Sequence, residues 1–223
     1  MEDSQQEHEI DAMLLPNMLE MNVKEALEKA ASLCVEMRES ADLCKYLLDR
    51  LRFLRKYLPT RKSKLPSAAD YPKVTLLFAN TLGLVIRFFE SRSVKTLLQR
   101  IAANRLIIKQ IERLHERIDG VFRAANLSNS TEMNEWKEHK ANDIAQLQRT
   151  LEESSRNTNN LVGGLSGSAL EEVLTELQSE IDPLKNQYEF RVFLKRVLDT
   201  VVKHVPGTQI LDIPVFAMKT STE

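Results

Sequence analysis

Between Ser93 and Ala125 the apolar residues recur every three or four positions. Val94, Leu97, Ile101, Ile108, Ile111, Ile118, Val121 and Phe122 fall on one face at helical spacing. The pattern predicts one long amphipathic helix, and such a helix must bury its apolar face against partners of the same kind. Along its flank Arg105, Lys109, Arg113 and Arg117 follow one another at i+4, forming a cationic stripe. A core-facing side beside a cationic side suits packing and anion contact rather than catalysis.

The rest of the chain reads the same way. Asn22 and Glu25 have the spacing of a capping box, and a seam of Val23, Leu27, Ala30, Cys34, Met37, Ala41, Cys44, Leu48, Leu51 and Leu58 follows. This predicts one helix over 23–58, ended by Pro59. The small residues on the seam suit packing inside a bundle better than a coiled coil. Residues 74–89 are apolar on most faces, as in the buried centre of a bundle. Ser93 is placed to cap the helix after it. Met133, Trp136, Ile144, Leu147 and Leu151 give a thinner stripe over 131–156, with the only tryptophan as its anchor. A Gly- and Asn-rich joint at 157–167 precedes a capping box at Ser168 and Glu171, which opens a helical stretch to 203 that Asp182-Pro183 either kinks or divides by beginning a new helix. With six glycines in 223 residues and few aromatics, the expected fold class is all-α.

A net charge of −1 hides a division. Residues 1–22 hold six acids and no base, 23–127 hold 21 bases against 11 acids, and 128–223 hold 10 bases against 15 acids. The cations are densest from Arg50 to Lys64, where Arg50, Arg52, Arg55, Lys56, Arg61, Lys62 and Lys64 occur without an acid. Such a patch is either solvated surface or a contact for an anionic partner or membrane, where each cation is worth about 1 kcal/mol. Nucleic acid is disfavoured, because the chain is not basic overall and carries none of the recognised motifs.

Enzyme signatures are missing. His115-Glu116-Arg117-Ile118-Asp119 resembles a metalloprotease helix, but Asp119 stands where a second histidine is needed, so the pair reads as an i,i+4 surface contact. Gly163-Gly164-Leu165-Ser166-Gly167 lacks the Lys-Ser/Thr of a phosphate loop. Cys34 and Cys44, ten residues apart on one helix, would lie about 15 Å apart, too far for a disulfide. No catalytic residue, metal or cofactor is expected. No stretch reads as long and apolar enough to cross a bilayer, and no signal peptide is visible. The expected location is cytoplasmic or peripheral to a membrane.

The run Arg87-Phe88-Phe89, the break at Ser91-Arg92-Ser93, the helix through Ile118-Asp119-Gly120-Val121-Phe122 and the following Trp136 carry a resemblance. Over residues 23–155 the chain resembles the N-terminal helical-bundle domain of mixed-lineage kinase domain-like proteins and the related Cbl-N-like adaptor domains of tyrosine-kinase-like kinases. The resemblance implies an up-and-down four-helix bundle followed by brace-type helices. It also implies a signalling role and, in the executioner members, oligomerisation and anionic-phospholipid binding. A kinase or pseudokinase usually follows the bundle in that family, and none is present here. The family's lipid-contacting cations do not map onto this chain residue by residue.

The expected organisation is an acidic arm at 1–22, a bundle at 23–127, brace helices at 128–203 and an extended tail at 204–223. The bundle helices fall near 23–58, 69–90 and 93–125, the last breaking near Asn104 to supply the fourth. The expected function is a non-enzymatic adaptor that binds signalling proteins, copies of itself, or an anionic membrane. The alternative is a stand-alone regulatory region acting on a kinase in trans.

Overall fold

A computed structural model describes residues 22–61, 70–156, 161–163, 165–181, 183 and 187–205. Residues 1–21, Lys62, Lys64, positions 157–160 and 164 of the joint, and residues 206–223 lie outside these residues. Among the described residues there are eight α-helices and no strand. They are α1 (Val23–Glu36), α2 (Ala41–Arg61), α3 (Asp70–Ser93), α4 (Leu97–Ala102), α5 (Asn104–Ala124), α6 (Thr131–Arg156), α7 (Gly167–Ile181) and α8 (Tyr188–Val202). The protein is an all-α helical bundle. It divides into two compact units, residues 1–161 and 162–223.

In the first unit α1 packs against α2 and α3, and α5 packs against the same two, so four helices close a ring. Its centre holds Leu47, Leu51, Leu54, Phe78, Leu82, Ile86, Phe89, Ile118 and Phe122, all shielded from solvent. α3 contributes twelve buried residues. Its buried threonine hydroxyls are satisfied within the helix: Thr75 donates to the Tyr71 carbonyl at 2.7 Å and Thr81 to that of Leu77 at 2.8 Å. α3 also corrects the membrane reading, since by length and composition Asp70–Ser93 could cross a bilayer, with mean hydropathy 1.3. Here most of it is buried against α1, α2 and α5. α6 lies against α2, α4 and α5. In the second unit α7 and α8 pack on each other, with Leu174, Leu177, Phe193 and Leu194 buried.

Several boundaries differ from the sequence expectation, each for a local reason. The helix expected over 23–58 breaks at Met37, and a single 3₁₀ turn at Arg38–Ser40 folds α2 back along α1. Neither glycine nor proline marks this break. Met37 stays buried on one side of the turn and Leu43 and Cys44 on the other, so the apolar spacing runs on across it. The turn brings the Cys34 and Cys44 thiols close enough to influence each other, and Cys44 Sγ donates to Ser40 Oγ at 3.6 Å. The 15 Å separation therefore does not hold.

Pro59 lies inside α2, which runs on to Arg61, because a proline in a final turn removes few helix hydrogen bonds. The break expected near Asn104 is present, with α4 and α5 parted at Ala103, but Val94, expected on the apolar face, is 79% exposed in the turn before them. Thr96 rather than Ser93 caps α4, in a capping box with Gln99. Ser166 rather than Ser168 begins α7, accepting from the Ala169 N–H at 3.4 Å. Of the two outcomes expected at Asp182-Pro183, a kink or a new helix, the second holds: α7 ends at Ile181 and α8 begins at Tyr188.

Ile111 faces the core at 2% exposure, whereas Arg113, two residues on, is exposed. Ile111→Asp should unfold the bundle, since an unpaired buried carboxylate costs several kcal/mol. Arg113→Asp should leave the helical signal and its melting cooperativity in place. Circular dichroism melts check both, and equal melting of the two variants would contradict the packing of α5.

Candidate anion-binding groove

The cations of 50–64 do not form one surface. Arg50 is 2% exposed and points into the first unit, so it is no contact for a lipid or an outside partner. Its guanidinium uses all five N–H groups. Nε donates to the Glu132 carbonyl at 2.9 Å. Nη1 donates to His115 Nδ1 at 2.8 Å and to the His115 carbonyl at 3.3 Å. Nη2 donates to Asp119 Oδ1 and to the Met133 carbonyl at 3.3 Å. The cation lies over the Phe122 ring at 5.1 Å and that of Trp136 at 5.8 Å. One side chain of α2 thus ties α5 to the first turn of α6.

His115 and Asp119, expected as a surface pair, are both buried. They are neighbours through Arg50, and Lys137 reaches the other Asp119 oxygen at 3.4 Å. The His115 ring stacks on Trp136 at 4.2 Å. Because an arginine only donates, His115 Nδ1 must be the acceptor and its proton sits on Nε2. Burial, then Arg50, then Lys140 hold this histidine neutral, its pKa lowered to about 2.

Of the described cations that remain in the stretch, Arg52 and Lys56 are exposed. Arg52 pairs with Asp49 at 3.2 Å. Arg55 is half-buried and engaged. Lys56 is exposed and lies 5.4 Å from the Tyr57 ring. Arg61 ends α2, and nothing further is described of its side chain.

The stripe on α5 is intact: Arg105, Lys109, Arg113 and Arg117 are all exposed, with Arg105 engaged locally. Its last two members open onto a groove of about 280 Å³ between α3 and α5. Leu84, Phe88 and Leu114 form the apolar wall, and Arg87 joins Arg113 and Arg117 as the charged lining. Ser91 and Gln110 complete it, and no carboxylate lines it. Gln110 is held by Arg92, which donates to its Oε1 at 2.8 Å. Three guanidiniums around an apolar trough can take an anionic group while an apolar side chain fills the floor.

Arg87 was missing from the predicted site. It reads as an interruption of an apolar run, yet Leu84, Arg87 and Ser91 share one stripe of α3 by their spacing of three and four. That stripe is where an otherwise buried helix meets solvent.

Between pH 2 and 6.5 the unfolded chain binds a proton at His115 that the folded chain does not, so stability falls as pH drops below 6.5. The slope approaches about 1.4 kcal/mol per pH unit, or about 2 kcal/mol by pH 5. Urea melts at pH 7 and pH 5 should show this loss in the parent and a smaller one in His115→Gln. An equal loss in both would show that His115 is not the titrating group.

No protein-family model matches this chain, and no curated protein or solved structure matches it either.

Proposed function

We propose that the chain is a non-enzymatic signalling adaptor, a helical bundle that assembles with other proteins through the arginine-lined groove between α3 and α5. The observation that carries this is the groove's lining, three arginines and three apolar side chains with no acid. A trough of this shape fits one face of an acidic amphipathic segment, with its apolar anchors on Phe88 and Leu114 and its carboxylates on Arg87, Arg113 and Arg117. Such a segment can belong to a kinase regulated in trans or to another copy of the chain. This role agrees with the one implied by the resemblance to mixed-lineage kinase domain-like bundles, and that kinship belongs to the same proposal.

A second reading is peripheral binding to an anionic membrane. It draws on Lys109, Arg113 and Arg117, exposed in register along α5, and on Leu106, 42% exposed beside them. Clustered cations with an apolar neighbour are the ingredients of such binding.

Two probes separate the readings: an acidic amphipathic helical peptide of alternating Glu and Leu faces, and vesicles containing phosphatidylserine. The full chain should bind the peptide, and Arg113→Glu with Arg117→Glu should weaken this at least tenfold, about 1.4 kcal/mol. Binding should fall with salt, since exposed charges are screened beyond about 8 Å at physiological ionic strength. Vesicle binding without peptide binding would favour the membrane reading. Indifference of both probes to the charge reversal would remove the groove as the site.

A further inference from the structure

A second concavity in the first unit has the opposite character. It measures about 240 Å³ and lies between α2 and α6. Asp42 and Asp49 line it from α2, and Glu132, Glu135 and Asp143 from α6. Residues 42, 45, 46 and 49 are spaced so that one face of α2 looks into it. Two cations share the lining. Lys45 is exposed, and Arg50 already has its five N–H groups engaged.

Acidic residues gathered on a surface carry no ligand by themselves. Asp143 is a different kind of group. It is 8% exposed, and its Oδ2 is buried without a hydrogen-bond partner. A buried carboxylate oxygen left unsatisfied is costly and marks a place where a donor fits. Tyr46 lines the same space, its ring stacked with that of His139 at 6.0 Å. An aromatic ring beside carboxylates is the surrounding an organic cation prefers, since the ring attracts it while the carboxylates accept its N–H groups.

We propose that this cleft is a binding site for an alkylammonium group, with Asp143 Oδ2 accepting from the ammonium and Tyr46 packing along the carbon chain. Among the described residues no group of histidine, cysteine and carboxylate side chains is arranged to hold a metal ion, so the fit is to an organic cation. Burial first, and then Asp42, hold the Asp143 carboxyl above the usual carboxylate range, with His139 opposing. A bound cation would relieve both effects.

Alkylammonium can come from a free polyamine or from a lysine side chain of a partner protein, and the test has an arm for each. The full chain is titrated with spermidine and, separately, with a short peptide carrying one central lysine, using calorimetry and the amide resonances of Tyr46, Glu135 and Asp143. Magnesium chloride at matched ionic strength is the control. Binding of either probe should shift these resonances, and Asp143→Asn should weaken it at least tenfold. Glu171→Gln, an exposed acid of α7, should leave it unchanged. Because Asp143→Asn changes a buried position, Asp42→Asn with Glu135→Gln serves as a second variant at two exposed positions and should weaken binding too. A response to spermidine names the free amine as the source, and a response to the peptide alone names a protein lysine. Absence of binding by both probes overturns the proposal. So does equal weakening by Glu171→Gln, or the same shifts with magnesium.

Discussion

Burying a guanidinium is the constraint around which the first unit is arranged. Withdrawing an arginine from water costs several kcal/mol unless its charge is paired and its donors are filled. Arg50 meets that condition only because three helices meet around it. α2 supplies the side chain, α5 the carboxylate of Asp119 and both acceptors of His115, and α6 two carbonyls of its first turn. Remove any one and a buried charge or donor is left without a partner. The cluster therefore specifies where α6 begins relative to the ring, more sharply than apolar contact alone does. Trp136, stacked on His115 and beside the same cation, closes it against water.

This arrangement sorts the cations of the central block into two kinds. Arg50 acts inward and holds helices together. Arg87, Arg113 and Arg117 act outward, around an apolar trough lacking any acid. The acids sort in the same way. Asp119 neutralises Arg50, while Asp42, Asp49, Glu132, Glu135 and Asp143 line a cleft of their own. One small bundle thus presents a cationic groove and an acidic cleft. A protein of modest net charge can in this way offer sites of both signs.

Much of the fold was legible in the sequence, because helical periodicity reports burial directly. Ile101, Ile111, Ile118, Val121 and Phe122 are buried as the spacing demands, and α6 spans Thr131–Arg156 as its stripe indicates. The turn at Met37 was not legible, since both sides bury apolar residues and the period survives the fold-back. The site was legible in part. Exposure of Arg113 and Arg117 follows from their position on α5. The inward course of Arg50 does not follow from its neighbours, because its partners lie at positions 115, 119, 132 and 133, and only tertiary packing brings them together. Asp119 and His115 misled for the same reason: four residues apart on a helix marks a shared face, not whether that face meets water.

The most direct test of this account is a double-mutant cycle on Arg50 and Asp119, read from urea unfolding of the full chain. Arg50→Met and Asp119→Leu should each destabilise strongly, on the order of 3–5 kcal/mol, because each strands the other charge in the core. The double variant should be far less damaged than the two losses added together, with a coupling well above about 1 kcal/mol. Additive losses, or a near-neutral Arg50→Met of the kind an exposed arginine gives, would contradict the claim that this buried pair organises the bundle.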